Sequence, residues 1–194
     1  MPPKNKFTKE EITAAAVEVV RRSGAQGLTA RSLAAELGCS PKPIFGLFEN
    51  MEEVQKSVAD AAAKVFREKT EEEIRRGKYP VYKCTGMAYV RFAKEEKELF
   101  KLLYMKDRDG KPDESGEDLE KIVDIVRENT GLSGENAYMF HIETWIYVHG
   151  IAAMIATGFL DWDMDFVSGA VTDCYMGLRE RFEKKENTDN DRGK

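Results

Sequence analysis

Two histidines and three cysteines are all that 194 residues offer in the way of soft or switchable ligands. Cys39, Cys84 and Cys174 lie far apart, with no CxxC and no metal-ligand spacing, which predicts free thiols. His141 and His149 cannot complete a ligand set between them. Asp161, Asp163 and Asp165 copy the opening of a calcium loop, but Phe166 stands where its glycine is needed and Thr172 where its glutamate is needed, so capping of the next helix is the expectation. GxSxG, HExxH, a phosphate loop and a dinucleotide fingerprint are missing. No catalytic residue, metal or cofactor is therefore expected, and the chain does not read as an enzyme. Long apolar runs are missing as well. Trp145–Leu160 is interrupted by His149 and is shorter than the ~18–20 residues that span a bilayer. The N-terminal MPPKNKFTKE has lysines but no apolar stretch behind them, which predicts no secretory leader and a cytoplasmic location. Excess positive charge is absent too, since the net charge is −5. It is unevenly spread: residues 1–50 hold seven Lys/Arg against five Glu, and the remainder carries −7. A mildly basic head on an acidic body suits a small binding domain attached to a larger one.

What the sequence does hold is concentrated in Leu28–Val54. Thr29 offers a hydroxyl N-cap to a short helix with Leu33, Ala34 and Leu37 on one face. Gly38 ends that helix, because glycine alone takes a left-handed conformation without steric cost. Ser40 is placed to cap a second helix with Ile44, Leu47 and Phe48 inward. Pro41 and Pro43 fall in its first turn, where a missing amide matters least. Before these, Thr8 and Glu11 form a capping box, Phe7 and Ile12 a staple, and Ile12, Ala16, Val19 and Val20 an inward stripe. Two helices joined by a short glycine-containing turn make a helix-turn-helix, whose second helix enters a DNA major groove. Ser40, Thr29 and Lys42 are the expected phosphate contacts, with Lys42 also able to reach a guanine. Arg31, Pro41, Pro43, Phe45, Gly46 and Leu47 complete the expected surface, and Lys4 and Lys6 form a basic arm ahead of it. A head of this size has too small a core to stand alone, so it is expected to lean on later helices.

Thr29, Arg31, Leu33-Ala34, Gly38, Ser40, Ile44-Phe45, Phe48 and Asn50 make this segment resemble the DNA-binding domain of the TetR family of bacterial transcription regulators. Three positions depart from that family's pattern. Phe45 stands where tyrosine is usual, Leu47 where histidine or another polar residue is common, and Met51 where lysine is usual. Tyrosine and lysine at those places contact phosphates in the family.

The rest of the chain reads as helices. Asn50 and Glu53 suggest a second capping box, opening a helix to about Arg76 that Gly77 and Pro80 stop. Two further helices follow, over 81–95 and 97–106, then a break at 107–116 and a helix over 117–130. Ser133 is expected to cap a helix that is apolar nearly all round, and about Asp163–Lys185 shows a cleaner apolar stripe. A helix that is hydrophobic on every side must be buried on every side. In a chain this small that predicts a partner copy, through Tyr147, Ile151, Ile155, Val167, Val171, Tyr175 and Leu178 in a four-helix bundle. Trp145…His149-Gly150 is similar to a signature in this helix of one group of the same family. Family members often enclose a small effector in the body, and Phe92, Phe100, Tyr104, Met105, Met139, His141, Thr144 and Trp145 supply the mostly apolar lining with polar tips that such pockets have.

The expected protein is therefore all-α: a three-helix DNA-binding domain with a helix-turn-helix over 1–50, a helical effector-binding and dimerisation domain over 51–186, and a disordered tail over 187–194. It is expected to act as a transcriptional repressor that binds a palindromic operator in double-stranded DNA as a homodimer and is released by a largely apolar small molecule. An effector-binding protein of the same fold with a weakened head is the alternative.

Overall fold

The computed structural model describes residues 7–105 and 116–192. Their order is α1 (Lys9–Ser23), a 3-10 turn at Ala25–Gly27, α2 (Ala30–Glu36), α3 (Met51–Arg76), α4 (Val81–Glu95), α5 (Lys97–Tyr104), α6 (Gly116–Thr130), α7 (Gly134–Ala156) and α8 (Met164–Arg192). No strand occurs among the described residues. The fold is all-α.

The helices gather into two compact units. One holds residues up to Glu68 together with the segment from Glu95. The other holds Lys69–Lys94 and the helices from α6 onward.

In the first unit α1 begins on a reciprocal capping box: the Glu11 amide donates to Thr8 Oγ1 (3.1 Å) and the Thr8 amide to Glu11 Oε2 (2.8 Å). Gly24 ends it at φ +70°, donating its amide to the Val20 carbonyl. Thr29 caps α2, but its partner in the box is Ser32 rather than an acid. At the start of α3 the Glu53 amide donates to Asn50 Oδ1 (2.9 Å), while the Glu53 carboxylate accepts from the Glu49 amide (2.7 Å). Ile12, Ala16, Val20, Leu33, Ile44 and Phe48 are buried in this unit. α5 packs on α1 and adds the buried Leu99 and Phe100, so the head does draw part of its core from further along the chain.

The second helix of the expected helix-turn-helix is the main local difference. Residues 41–47 form consecutive turns, not a regular α-helix. Ile44 and Phe45 donate to the Pro41 carbonyl (3.1 and 3.5 Å), and Leu47 and Phe48 to the Ile44 carbonyl (3.0 and 2.9 Å). The cause lies in the prolines. Lys42 precedes Pro43 and Ser40 precedes Pro41, and a residue before proline is pushed out of the α region. Gly46 adds the entropic cost of a mid-helix glycine.

In the second unit α6, α7 and α8 pack around Tyr82, Val123, Val126, Ala137, Phe140 and Phe182. The Phe140 ring meets Tyr175 edge-on at 5.3 Å and Phe182 at 5.9 Å, geometries that add to simple burial. Glu73 is fully enclosed, and its Oε2 accepts from Arg76 Nη1 and Arg91 Nε, both at 3.2 Å, tying the end of α3 to α4. Asp163 caps α8 as expected, accepting from the Asp165 and Phe166 amides (3.0 and 2.7 Å). Ser133 does not cap α7: its hydroxyl is turned onto the Glu186 carboxylate of α8. α8 stays helical to Arg192, into the segment expected to be disordered, with Lys184 bonded to Glu180 (2.6 Å) in its last turns.

Most residues of the face expected to meet a second copy also pack within the chain itself. Ile151, Ile155, Val167 and Val171 are buried within the chain itself, and Tyr175 and Leu178 pack against the body's own core. Only Tyr147 of that set is exposed. An all-apolar α7 does not reveal which stripe serves its own core, and the clean stripe of α8 is the inward one.

Candidate nucleic-acid interface

α2 and the turns after it present the residues singled out for DNA. Arg31, Ser40, Pro41, Lys42, Phe45 and Gly46 are exposed, and Pro43 and Leu47 are half-buried. Ile44 and Phe48 are the fully buried pair beneath them, fixing which side of the segment looks outward. Thr29 is exposed, but its hydroxyl is used within the cap, accepting from the Ser32 amide and donating to Ser32 Oγ (both 3.1 Å). Lys4 and Lys6 lie outside the described residues.

Three of the described cations of the head are engaged within the protein. Lys9 pairs with Glu53 and Arg22 with Glu36, each at 2.6 Å. Arg21 grips Glu96 through two bonds, Nε–Oε2 at 2.9 Å and Nη2–Oε1 at 2.8 Å, and the bond to Glu96 is the main reason its pKa is raised. Lys9 in turn holds the Glu53 carboxyl below its ordinary value. Among the described head residues up to Asn50, Arg31 and Lys42 have no carboxylate partner. The seven basic residues are plain in the sequence, but this pairing is not, since Arg21 and Glu96 are far apart along the chain.

The eight residues expected to line an effector pocket fall into both units. Phe100, Tyr104 and Met105 belong to the first, where Tyr104 packs on Phe100 at 5.3 Å and Phe66 at 6.0 Å, and Met105 is exposed. Phe92, Met139, His141, Thr144 and Trp145 belong to the second. Phe92 is fully buried there, and Met139 packs against the aromatic core. The polar tips have found partners within the chain: Tyr82 Oη and His141 Nδ1 lie 3.2 Å apart, and Thr144 Oγ1 donates to the Phe140 carbonyl at 2.8 Å. Burial lowers the His141 and His149 pKa values and raises that of Tyr82, which favours the neutral form of each. Trp145 faces out, stacked on His149 at 5.1 Å. A separate open groove of about 360 Å³ lies on the second unit, lined by Leu119, Glu120, Val123, Asp124, Arg127 and Tyr138, none of them expected from the sequence. All three cysteines are free. No cluster of metal-ligand type occurs among the described residues, and none of the described helices is long and apolar enough to cross a membrane.

A small helical head with paired caps is followed by a long helix and a larger helical body. Residues 84–171 match the family model for the tetracyclin repressor-like C-terminal domain. Among solved structures the chain is similar to a protein of unknown function from Rhodococcus sp. RHA1, at 23% identity and a TM-score of 0.72, covering 92% of this chain and 100% of that one. A TetR variant from Acinetobacter baumannii AYE in complex with minocycline is similar at 15% identity and a TM-score of 0.57, covering 93% and 99%. BioQ with its double-stranded DNA operator is similar at 20% identity and a TM-score of 0.51, covering 90% and 99%. No curated protein matches the chain by sequence.

Proposed function

We propose that this chain is a cytoplasmic transcriptional repressor that binds a palindromic operator as a homodimer and leaves it when a small, largely apolar molecule binds the body. The observation that carries the reading is the head: an N-capped α2, a turn through Gly38, and a segment whose Ile44 and Phe48 are buried while Lys42 and Phe45 face outward. BioQ, which shares the fold, was solved on a DNA operator, and the TetR variant was solved with minocycline. Residues 1–50 are the DNA-binding part and 51–186 the effector-binding and dimerisation part. Lys42, Arg31, Ser40 and the arm lysines Lys4 and Lys6 contact phosphates, and Lys42 can also reach a guanine.

A revised dimer face goes with this reading. Ile142, Ile146, His149, Gly150 and Ala153 fall on the side of α7 away from its buried residues. Phe166, Gly169, Ala170, Asp173 and Gly177 do so on α8. Ile146 and Phe166 are more than half exposed, at 58% and 54%. A Cβ added at Gly150, Gly169 or Gly177 would meet nothing within 4 Å in the single chain. Mid-helix glycines cost about 1 kcal/mol each against alanine. Close approach of a partner's helices is what would offset that cost. An effector that fits only dimers with wrongly spaced heads then shifts the population off DNA.

A random-sequence selection with the full-length protein, followed by fluorescence anisotropy on the enriched duplex, tests the reading. Enrichment of a palindrome supports it. The second reading, a weakened head, is favoured by the irregular turns at 41–47 and by Phe45, Leu47 and Met51. It predicts no enrichment until Phe45→Tyr and Met51→Lys are introduced together.

A further inference from the structure

The outward side of the recognition segment is short of hydrogen-bond donors. Pro41 and Pro43 have no amide, and the amides of Ile44, Phe45, Leu47 and Phe48 are used on the carbonyls of Pro41 and Ile44. Lys42 and Ser40 are the donors left among its exposed side chains. The remaining outward side chains are apolar: Pro41, Pro43, Phe45 and the half-buried Leu47. Phe45 is the largest of them and is 45% exposed, while Ile44 beside it is completely enclosed. A phenyl ring cannot donate to a phosphate. Of the features that base pairs present in the major groove, the one suited to apolar contact is the 5-methyl of thymine.

We propose that Phe45 is a specificity-determining residue that reads a thymine 5-methyl group in each operator half-site. This rests on the head binding duplex DNA, as proposed above. Lys9, Arg21 and Arg22 are already paired to the protein's own carboxylates, which leaves apolar contact by Phe45 as a means of sequence discrimination on this surface. The register of the contact is set from below, because Ile44 and Phe48 are anchored in the core and Phe45 is turned away from it.

The test uses the full-length protein and the duplex enriched by random-sequence selection. Thymines are replaced one at a time by deoxyuridine, which removes the methyl and keeps the base pair. Affinity is read by anisotropy at fixed salt. One position in each half-site is expected to lose about fourfold, the worth of burying one methylene-sized group, and about fifteenfold when both half-sites are changed. In Phe45→Ala that penalty disappears, while the order of preference at other positions stays. In Phe45→Tyr, which keeps the ring, the penalty persists. The proposal is overturned if no thymine-to-deoxyuridine change weakens the wild type, or if Phe45→Ala pays the same penalty. If selection enriches no sequence, the DNA-binding reading itself fails and this inference falls with it, an outcome distinct from an operator whose thymine methyls are silent.

Discussion

Replacing Gly177 by leucine should stabilise the single chain and break the proposed dimer. The residue lies in the interior of α8, on the outward stripe with Phe166, Gly169 and Asp173, and an added Cβ meets nothing within 4 Å. Leucine is a far better helix former than glycine, so the isolated chain gains about 0.8–1 kcal/mol. In a dimer whose helices approach at the glycines, the same side chain must be accommodated twice by two-fold symmetry. Overpacking a close contact costs about 1–3 kcal/mol per site. Twice that is about 2–6 kcal/mol, or a dimer Kd raised at least about 30-fold. Sedimentation equilibrium over a concentration series gives the Kd, and urea unfolding at concentrations below it gives the monomer's stability. A raised Kd together with a raised monomer stability is the expected pair. An unchanged Kd would refute the assignment of this face, whatever happens to stability. Lower monomer stability would refute the claim that the site is open in the single chain.

Three further outcomes follow from the same geometry. Ile44→Ala, at a site with no exposure, should cost about 2–4 kcal/mol in urea unfolding of the whole chain, because a cavity remains beneath the recognition segment. Lys42→Ala should weaken DNA binding with little change in sequence preference and lower the slope of log affinity against log salt by about 1, measured by anisotropy at several salt concentrations. Glu53 has its folded pKa held below the ordinary value of 4.5, first by Lys9 and then by the Glu49 amide. The stability it contributes is therefore present above pH 4.5 and is lost as the pH falls through the folded value. Acid unfolding monitored by circular dichroism should show a shallower pH dependence between about pH 5 and 3 in Glu53→Gln.

Local signals in the sequence translated well into structure wherever one residue controls one backbone group. Thr8, Thr29, Asn50 and Asp163 cap the helices they were expected to cap. The break between α4 and α5 falls at Glu96, as the pattern indicated. Signals failed where the deciding partner is remote or where two local rules compete. The inward stripe at Ile44 and Phe48 was legible, but two prolines and Gly46 outweighed it in choosing turns over helix. Ser133 looks like a cap until Glu186 of α8 takes its hydroxyl. α7 carries apolar residues all round, so periodicity could not say that Ile151 and Ile155 face the chain's own core while Ile146 faces out. The hydrogen bonds of His141 to Tyr82 and of Thr144 to the Phe140 carbonyl were not legible, because the partner of His141 is remote in the sequence. The exposed set Arg31, Lys42 and Phe45 was legible because surface residues on a short turn need no remote partner.

Operator binding by the head is tested most directly by fluorescence anisotropy of the full-length protein on the selected duplex, at two salt concentrations and against a scrambled competitor. Binding that survives the competitor and weakens with salt is the expected result. Binding no tighter than to the scrambled duplex, by a protein that sediments as a dimer, would contradict it.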